Sequence, residues 1–205
     1  LGTIFFKYVS MMGALEVTLH RLIWTSLILL LTTLIFKKIK VFKSIIKQKK
    51  KLLILLVTGV LIFLNWGTWI YAISINKIID ASYGYFIFPI LNIFFGYLFL
   101  NEFLNKKRII SVIIVIISSI YLLLNFSSFP WVGILVALFW SIYNLLRKKI
   151  NVETDIGLFI ESLIILPFII SVLFFIYKTN NNDFSLLDPT SMFLLFLAGP
   201  MTVIP

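Results

Sequence analysis

Ionisable side chains beside long apolar stretches are the residues most capable of chemistry in this sequence. An ionised group is costly in hydrocarbon, so such residues usually pair with one another or mark a pathway for protons or substrate. Glu16 and His20 stand one helical turn apart and can pair, whereas the neighbouring Arg21 can extend its guanidinium outward. Glu161 stands near the start of a later apolar stretch. The predicted coupling or gating residues are therefore Glu16, His20 and Glu161.

Glu161 has two interpretations. Its carboxylate could carry a coupling proton. Alternatively, an acidic side chain near a helix N-terminus, within reach of Arg147 or Lys148, is satisfied without any functional role.

A second set of residues places amide and aromatic side chains at helical spacing. Tyr85, Pro89, Asn92 and Gly96 are separated by four, three and four residues, which puts them on one helix face. Similar spacing recurs in two other apolar runs. These stripes predict either a substrate path or hydrogen-bonded contacts between helices. The substrate-path candidates are Asn65, Trp69, Asn76, Tyr85, Pro89, Asn92, Trp140 and Asn144.

Four further positions carry local structural predictions. Pro89 has no N–H to donate to the carbonyl of Tyr85, so a kink is expected there. Gly133 is expected to permit close approach of two helices. Asp80 and Asp188 are each expected to cap the helix that they precede.

The elements that must position these residues are membrane-spanning helices. Hydrophobic residues make up 61% of the chain, and only 13% of residues are charged, which is typical of an integral membrane protein. The runs are long enough for helices and do not alternate as barrel strands do. The prediction is an all-α helix bundle with a partial span at residues 1–9, a last one starting near 190, and six complete spans at about 14–36, 52–75, 80–100, 109–125, 130–147 and 157–177.

The basic residues are concentrated in alternate connections. Eight lysines lie between residues 37 and 51, and clusters of three basic residues occur at 106–108 and 147–149. Basic loops of membrane proteins face the cytoplasm. The net charge of +10 therefore indicates topology rather than nucleic-acid binding.

The sequence lacks the residues that metal, cofactor and catalytic sites usually require. The chain has no cysteine and one histidine, so the sequence predicts no metal site, no cofactor and no catalytic cluster. A transporter is favoured over an enzyme, although a membrane-embedded enzyme and a membrane scaffold without transport activity remain alternatives.

The chain also contains an internal similarity. The segments "IFFKYVSMMGALEVTLHRLIWTSLILL" and "YNLLRKKINVETDIGLFIESLIILPFII" each join two apolar helices through a polar turn. They lie five spans apart, which places them in opposite orientations. Inverted repeats are typical of alternating-access transporters, although hydrophobic low complexity could produce the same match.

Five segments carry a resemblance to a known family. In chain order they are "EVTLHRLIW", "NWGTWIYAI", "DASYGYFIFPILNIFFGYLFLNE", "FPWVGILVALFWSIYNLLRKK" and "GLFIESLIILP". Together they resemble the RarD-type members of the EamA group in the drug/metabolite transporter superfamily. The resemblance implies ten helices in two inverted five-helix repeats, location in the bacterial inner membrane, and export or exchange of small molecules. One departure is Phe88, where the family usually has asparagine before the proline.

On this pattern, residues 1–126 form a first repeat whose first helix is truncated, and residues 127–205 form the truncated start of a second. The expected partners are the lipid bilayer and a small-molecule substrate, with no nucleic acid. Protons as coupling ion and a homodimer are left open.

Overall fold

The computed structural model describes residues 2–9, 12–126, 128–179 and 188–203. Within these ranges the chain is helical and contains no strand, which confirms the predicted all-α fold class. Residues 180–187, which precede Asp188, lie outside the described residues. In chain order the helices are α1 (Gly2–Val9), α2 (Ala14–Ile35), α3 (Ile39–Ile46), α4 (Lys49–Ser74), α5 (Ile78–Leu100), α6 (Lys106–Leu124), α7 (Trp131–Ile150), α8 (Thr154–Lys178), α9 (Pro189–Ala198) and α10 (Pro200–Val203).

Five described helices are long and apolar enough to cross a membrane, namely α2, α4, α5, α6 and α8. Helix α7 was predicted as a sixth complete span. It has 20 residues, enough for about 30 Å, but its last turn carries Arg147, Lys148 and Lys149, so it is less apolar than the other five. The predicted spans and the observed helices otherwise agree to within a few residues.

Helix α7 lies against α5 and α4, and α8 lies against α2 and α4. Helix α6 packs mainly on α5 and exposes most of its apolar side chains. A row of exposed isoleucines is stable on a surface that faces lipid rather than water. The chain is therefore a multi-pass membrane protein, and most of its buried polar residues lie on α2, α4, α5, α7 and α8.

Two glycines allow α5 and α7 to cross closely. A Cβ atom added to Gly133 would overlap the carbonyl oxygen of Asp80, and one added to Gly84 would overlap the carbonyl of Gly133. These neighbours are backbone atoms, so no side-chain rotation could make room. Close packing at Gly133 is the arrangement predicted from the sequence.

The two predicted caps have different outcomes. Asp188 caps its own helix, since its carboxylate accepts from the backbone N–H groups of Thr190 and Ser191. Asp80 does not cap α5, because it lies in the first turn, after the N-cap Lys77. Its Oδ1 instead accepts from the N–H of Gly133, at 3.1 Å. The carboxylate of Asp80 thus accepts a hydrogen bond from a backbone N–H group in the first turn of α7, across the helix crossing.

The basic connections meet at one end of the bundle. Lys38 binds Asp155 and Glu153 at 2.6 and 2.7 Å, and Lys148 binds Glu102. The two ion pairs of Lys38 join the connection before α3 to the start of α8, and the ion pair of Lys148 joins α7 to the connection after α5. Helix α3 itself lies inside the lysine-rich stretch at residues 37–51, where the sequence predicts only a connection.

Candidate substrate cavity

A cavity of about 370 Å³ lies between α1, α2, α4, α5 and α7. Its wall includes the small residues Gly84 and Ala137, the amide of Asn65 and the guanidinium of Arg21. No acidic residue is among the described residues that line it. The remaining wall is largely aromatic and comprises Phe6, Trp66, Trp69, Tyr85, Phe88 and Trp140.

Arg21 is the charged residue among the described residues that line this cavity. The guanidinium carbon lies 4.2 Å from the ring centroid of Trp66 and 4.8 Å from that of Phe6. Its Nε donates to Oγ1 of Thr202 at 2.7 Å. The residue is only 9% exposed, so the expectation that Arg21 extends outward is wrong. The aromatic rings hold the guanidinium inside the bundle instead.

Asn65 joins two helices and also lines the cavity. Its Nδ2 donates to the backbone carbonyl of Val136 at 2.9 Å, which joins α4 to α7. The same side chain lines the cavity. Trp69 and Trp140 lie in the wall as well, and Trp140 stacks on Tyr143 with ring centroids 5.6 Å apart.

Asn76 does not share the face of Asn65 and Trp69. Helix α4 ends at Ser74, and Asn76 follows in a left-handed turn with φ of 58° and an exposed side chain. Asparagine adopts this backbone conformation more readily than most residues. The helical spacing counted from Asn65 therefore continues past the point where the helix stops.

The predicted stripe on α5 is divided among three environments. Tyr85 lines the cavity of about 370 Å³ described above, which contains Arg21 and is called the Arg21 cavity from here on. Asn92 and Gly96 line a second cavity. Pro89 is exposed and is not among the described residues that line either cavity. Its neighbour Phe88 enters the first cavity instead, and Oγ of Ser141 donates to the Phe88 carbonyl at 3.4 Å.

The second cavity has a volume of about 240 Å³ and lies between α5 and α7 near the basic end. Asn144 faces it from α7, opposite Asn92 on α5. The ion pair of Lys148 with Glu102 belongs to its wall. Asn92 and Asn144 each follow a wall residue of the first cavity, Phe88 or Trp140, by one helical turn.

Glu161 is fully buried in a polar cluster outside the two cavities described above. Oγ1 of Thr58 donates to its carboxylate at 2.7 Å, the Tyr143 hydroxyl donates at 3.2 Å, and Nε of Arg147 lies 3.6 Å away. Nη2 of Arg147 also donates to the carbonyl of Glu153 at 3.2 Å. The carboxylate, which belongs to α8, therefore has three partners on two other helices, α4 and α7.

Glu16 and His20 meet through a residue that the sequence analysis did not select. The hydroxyl of Tyr177, near the end of α8, lies 3.4 Å from Oε2 of Glu16 and 3.4 Å from Nε2 of His20. Tyr177 is separated from both by more than 150 residues. No local spacing could reveal this bridge between α2 and α8.

Comparison with known proteins places the chain in a family. The profile of the EamA-like transporter family matches residues 1–124. The chain belongs to this family. An uncharacterized transporter of Vibrio cholerae is 35% identical over the whole chain, which covers 68% of that protein. Protein RarD of Escherichia coli is 32% identical over 98% of the chain and 68% of its own length. No solved structure is significantly similar to the chain.

Family membership confirms the resemblance to RarD-type EamA transporters. An EamA-like transporter works in a lipid bilayer on a small-molecule substrate, so membership points to transport rather than catalysis. Among the described residues, no group of three His, Cys, Asp or Glu side chains could hold a metal ion.

Proposed function

We propose that this protein is a secondary active transporter that exports or exchanges small metabolites or drugs by alternating access, with the Arg21 cavity as its substrate site. The observation that carries the proposal is a cavity inside a membrane helix bundle whose wall combines a buried cation, an amide and six aromatic rings. Binding sites of small molecules have this make-up, with a largely apolar wall and a few polar groups that orient the ligand.

The position of the cavity along the helices supports this function. Helix α5 starts at the end opposite the basic connections, and Gly84 and Phe88 lie about 9 and 15 Å along it. The site is therefore near the middle of a membrane about 30 Å thick, where transporters bind substrate.

The two cavities suggest how access could alternate. Phe88 and Trp140, with ring centroids 6.3 Å apart, lie one turn before Asn92 and Asn144. In this proposal the two rings separate the Arg21 site from the second cavity, and the Lys148–Glu102 ion pair closes the second cavity toward the basic end. Movement of α5 against α7 would open this path.

The remaining parts of the proposal concern orientation and assembly. The basic end faces the cytoplasm of a bacterium, in its inner membrane, following the distribution of lysines. Residues 1–126 and 127–205 belong to two inverted repeats. Protons are the proposed coupling ion, and a homodimer is the proposed assembly.

Orientation is tested by labelling, because the chain has no cysteine. A membrane-impermeant thiol reagent should label Asn181→Cys, which lies outside the described residues, in intact cells. It should label Ser44→Cys only in opened cells. Labelling of Ser44→Cys from outside would reverse the orientation.

Transport is tested with the full-length protein in lipid vesicles. Uptake of amino acids, nucleobases and amphenicols is measured with and without a proton gradient, against empty vesicles and vesicles that carry Asn65→Leu. The proposal expects at least one compound to move faster than in both controls. Absence of flux for every compound, together with a substrate-dependent rise in melting temperature, would indicate a binding protein without transport activity.

A further inference from the structure

Arg21 differs from an ordinary buried arginine because it lines a cavity and has N–H donors that no described residue accepts from. A guanidinium has five N–H groups, and the Nε–H is used by Thr202. Neither terminal amino group makes a hydrogen bond to a described residue, and no described carboxylate lies within ion-pair distance. The residue nevertheless lines the cavity. No described residue therefore occupies the edge of the guanidinium that could bind an anion through two parallel hydrogen bonds.

The orientation of the guanidinium is determined by its neighbours. Trp66 and Phe6 both lie within cation–π distance, and the Thr202 hydroxyl that accepts from Nε donates in turn to the carbonyl of Ala198 at 2.9 Å. A donor group that is already oriented loses little conformational entropy when it binds a ligand. This is the property expected of a specific anion site.

A cationic ligand fits this cavity poorly. Aromatic walls attract cations, but here Arg21 already lies against two of the rings and adds its own positive charge. Repulsion between like charges is strong in a site largely removed from water. With no acidic residue among the described wall residues, nothing in that wall offsets it.

We propose that the Arg21 cavity selects organic anions. A carboxylate, or a sulfonate or phosphate of similar geometry, binds the terminal amino groups of Arg21, and a flat apolar body lies against Trp69, Tyr85 and Trp140. The volume of about 370 Å³ is near the lower end of the range for ligand pockets, which limits the body to about one or two rings. This inference rests on the proposed function, since it assigns a substrate class to the same site.

The test uses three probes with one shared body: 3-phenylpropionate, 3-phenylpropionamide and 3-phenylpropylamine. Their binding to the purified full-length protein is measured by quenching of tryptophan fluorescence and by the shift in melting temperature. We expect the carboxylate to bind at least tenfold more tightly than the amide and the amine. Arg21→Gln should reduce this preference to about twofold or less, and Arg108→Gln, an exposed arginine on α6, should leave it unchanged.

Thr202→Val keeps the charge but removes the acceptor that orients Arg21, so the carboxylate alone should bind several-fold more weakly. If Arg21→Gln fails to fold, the inference is tested by the binding preference of the wild type for the carboxylate and by the weaker binding of the carboxylate to Thr202→Val. Equal binding of the three probes, no binding of any, or a carboxylate preference that survives these changes would overturn the inference.

Failure of the proposed function has a different signature: selective binding of the carboxylate with no flux in vesicles. Flux of neutral or cationic compounds without anion preference would overturn the anion assignment alone.

Discussion

Two arginines lie within the helix bundle, and their surroundings are opposite. Arg147 has the carboxylate of Glu161 3.6 Å from its Nε and the carbonyl oxygens of the α7–α8 connection around its Nη2. Arg21 has aromatic rings, one threonine hydroxyl and a cavity. Both side chains are about equally buried. The first charge is neutralised by the protein, whereas the second has no described carboxylate beside it.

This contrast suggests different roles for the two arginines: Arg147 is a structural cation, and Arg21 is a cation that binds a ligand. Removing one member of a buried ion pair is strongly destabilising, because the remaining charge is then left without a partner. An arginine that opens onto a cavity can obtain its counter-charge from a ligand and release it again. We therefore expect substitutions at the Glu161 cluster to impair folding and substitutions at the Arg21 cavity to impair binding.

The largest expected effect is at Glu161. Glu161→Gln leaves Arg147 buried without a carboxylate, which should lower the free energy of unfolding by about 3–5 kcal/mol. The double variant Glu161→Gln with Arg147→Met removes both charges and should recover at least half of that loss. Both are measured by denaturant unfolding in detergent, with Glu102→Gln as the control at a half-exposed pair, expected within about 1 kcal/mol of wild type.

If the single and double variants are equally unstable, the two side chains are not coupled. If instead Glu161→Gln folds normally but loses only gradient-driven transport while exchange persists, Glu161 carries the coupling proton and the structural interpretation is wrong.

A smaller loss is expected at the α5–α7 crossing that forms one side of the Arg21 cavity. Gly133→Ala places a methyl group on the carbonyl of Asp80 and should destabilise by about 1–3 kcal/mol through overpacking. Gly67→Ala is the matched control, since the nearest atom to its added methyl group is 3.8 Å away on Thr18. Melting temperatures should fall for the first variant alone. An unchanged melting temperature of Gly133→Ala would show that the two helices cross less closely than the structure indicates.

Asn65→Leu should affect binding more than folding. It removes one hydrogen bond between helices, worth about 0.6–2 kcal/mol in membranes. The protein should reach the membrane in normal amount but bind and transport poorly, because the amide is also part of the cavity wall. Asn92→Leu, in the second cavity, should keep binding intact. Normal transport by Asn65→Leu, with only a lower melting temperature, would assign Asn65 to packing.

The smallest expected effect is at Lys38 on the basic end. Hydrogen bonds to Asp155 and Glu153 raise the pKa of Lys38 above its usual range. Its stabilising contribution is therefore present at neutral pH and is lost as pH rises through that raised pKa. Lys38→Gln should lower the melting temperature slightly at pH 7, and the difference from wild type should shrink in high salt and at strongly alkaline pH. Lys40→Gln, which makes no ion pair with a described residue, should show no such dependence.

The long helices were predictable from the sequence because apolar runs of this length have few alternatives in a bilayer. Helix α3 was missed because lysines dominate its neighbourhood, although Phe42 and Ile45 are spaced as one helix face and pack in the core beside Ile160. Asn76 was placed on the α4 face because no local rule marked the end of that helix.

The site was harder to predict than the fold. Helical spacing identified Asn65, Trp69, Tyr85 and Trp140, which the structure gathers around one cavity. Spacing says which residues share a face but not where the face points, so exposed Pro89 was included and Phe88 was not. The sequence predicted that the guanidinium of Arg21 extends outward, whereas it lies against Phe6 and Trp66. These two rings come from other helices, and such a tertiary contact cannot be read from spacing along the sequence.

The most direct test of the account is exchange of a permanently charged anion by the full-length protein in lipid vesicles. Labelled 3-phenylpropane-1-sulfonate is suitable, because it cannot cross lipid as a neutral acid. Wild type and the Glu161→Gln, Arg147→Met double variant should exchange it, whereas Arg21→Gln should be at least tenfold slower. Exchange by Arg21→Gln at the wild-type rate, or no exchange by wild type, would contradict the claim that the Arg21 cavity is the substrate site.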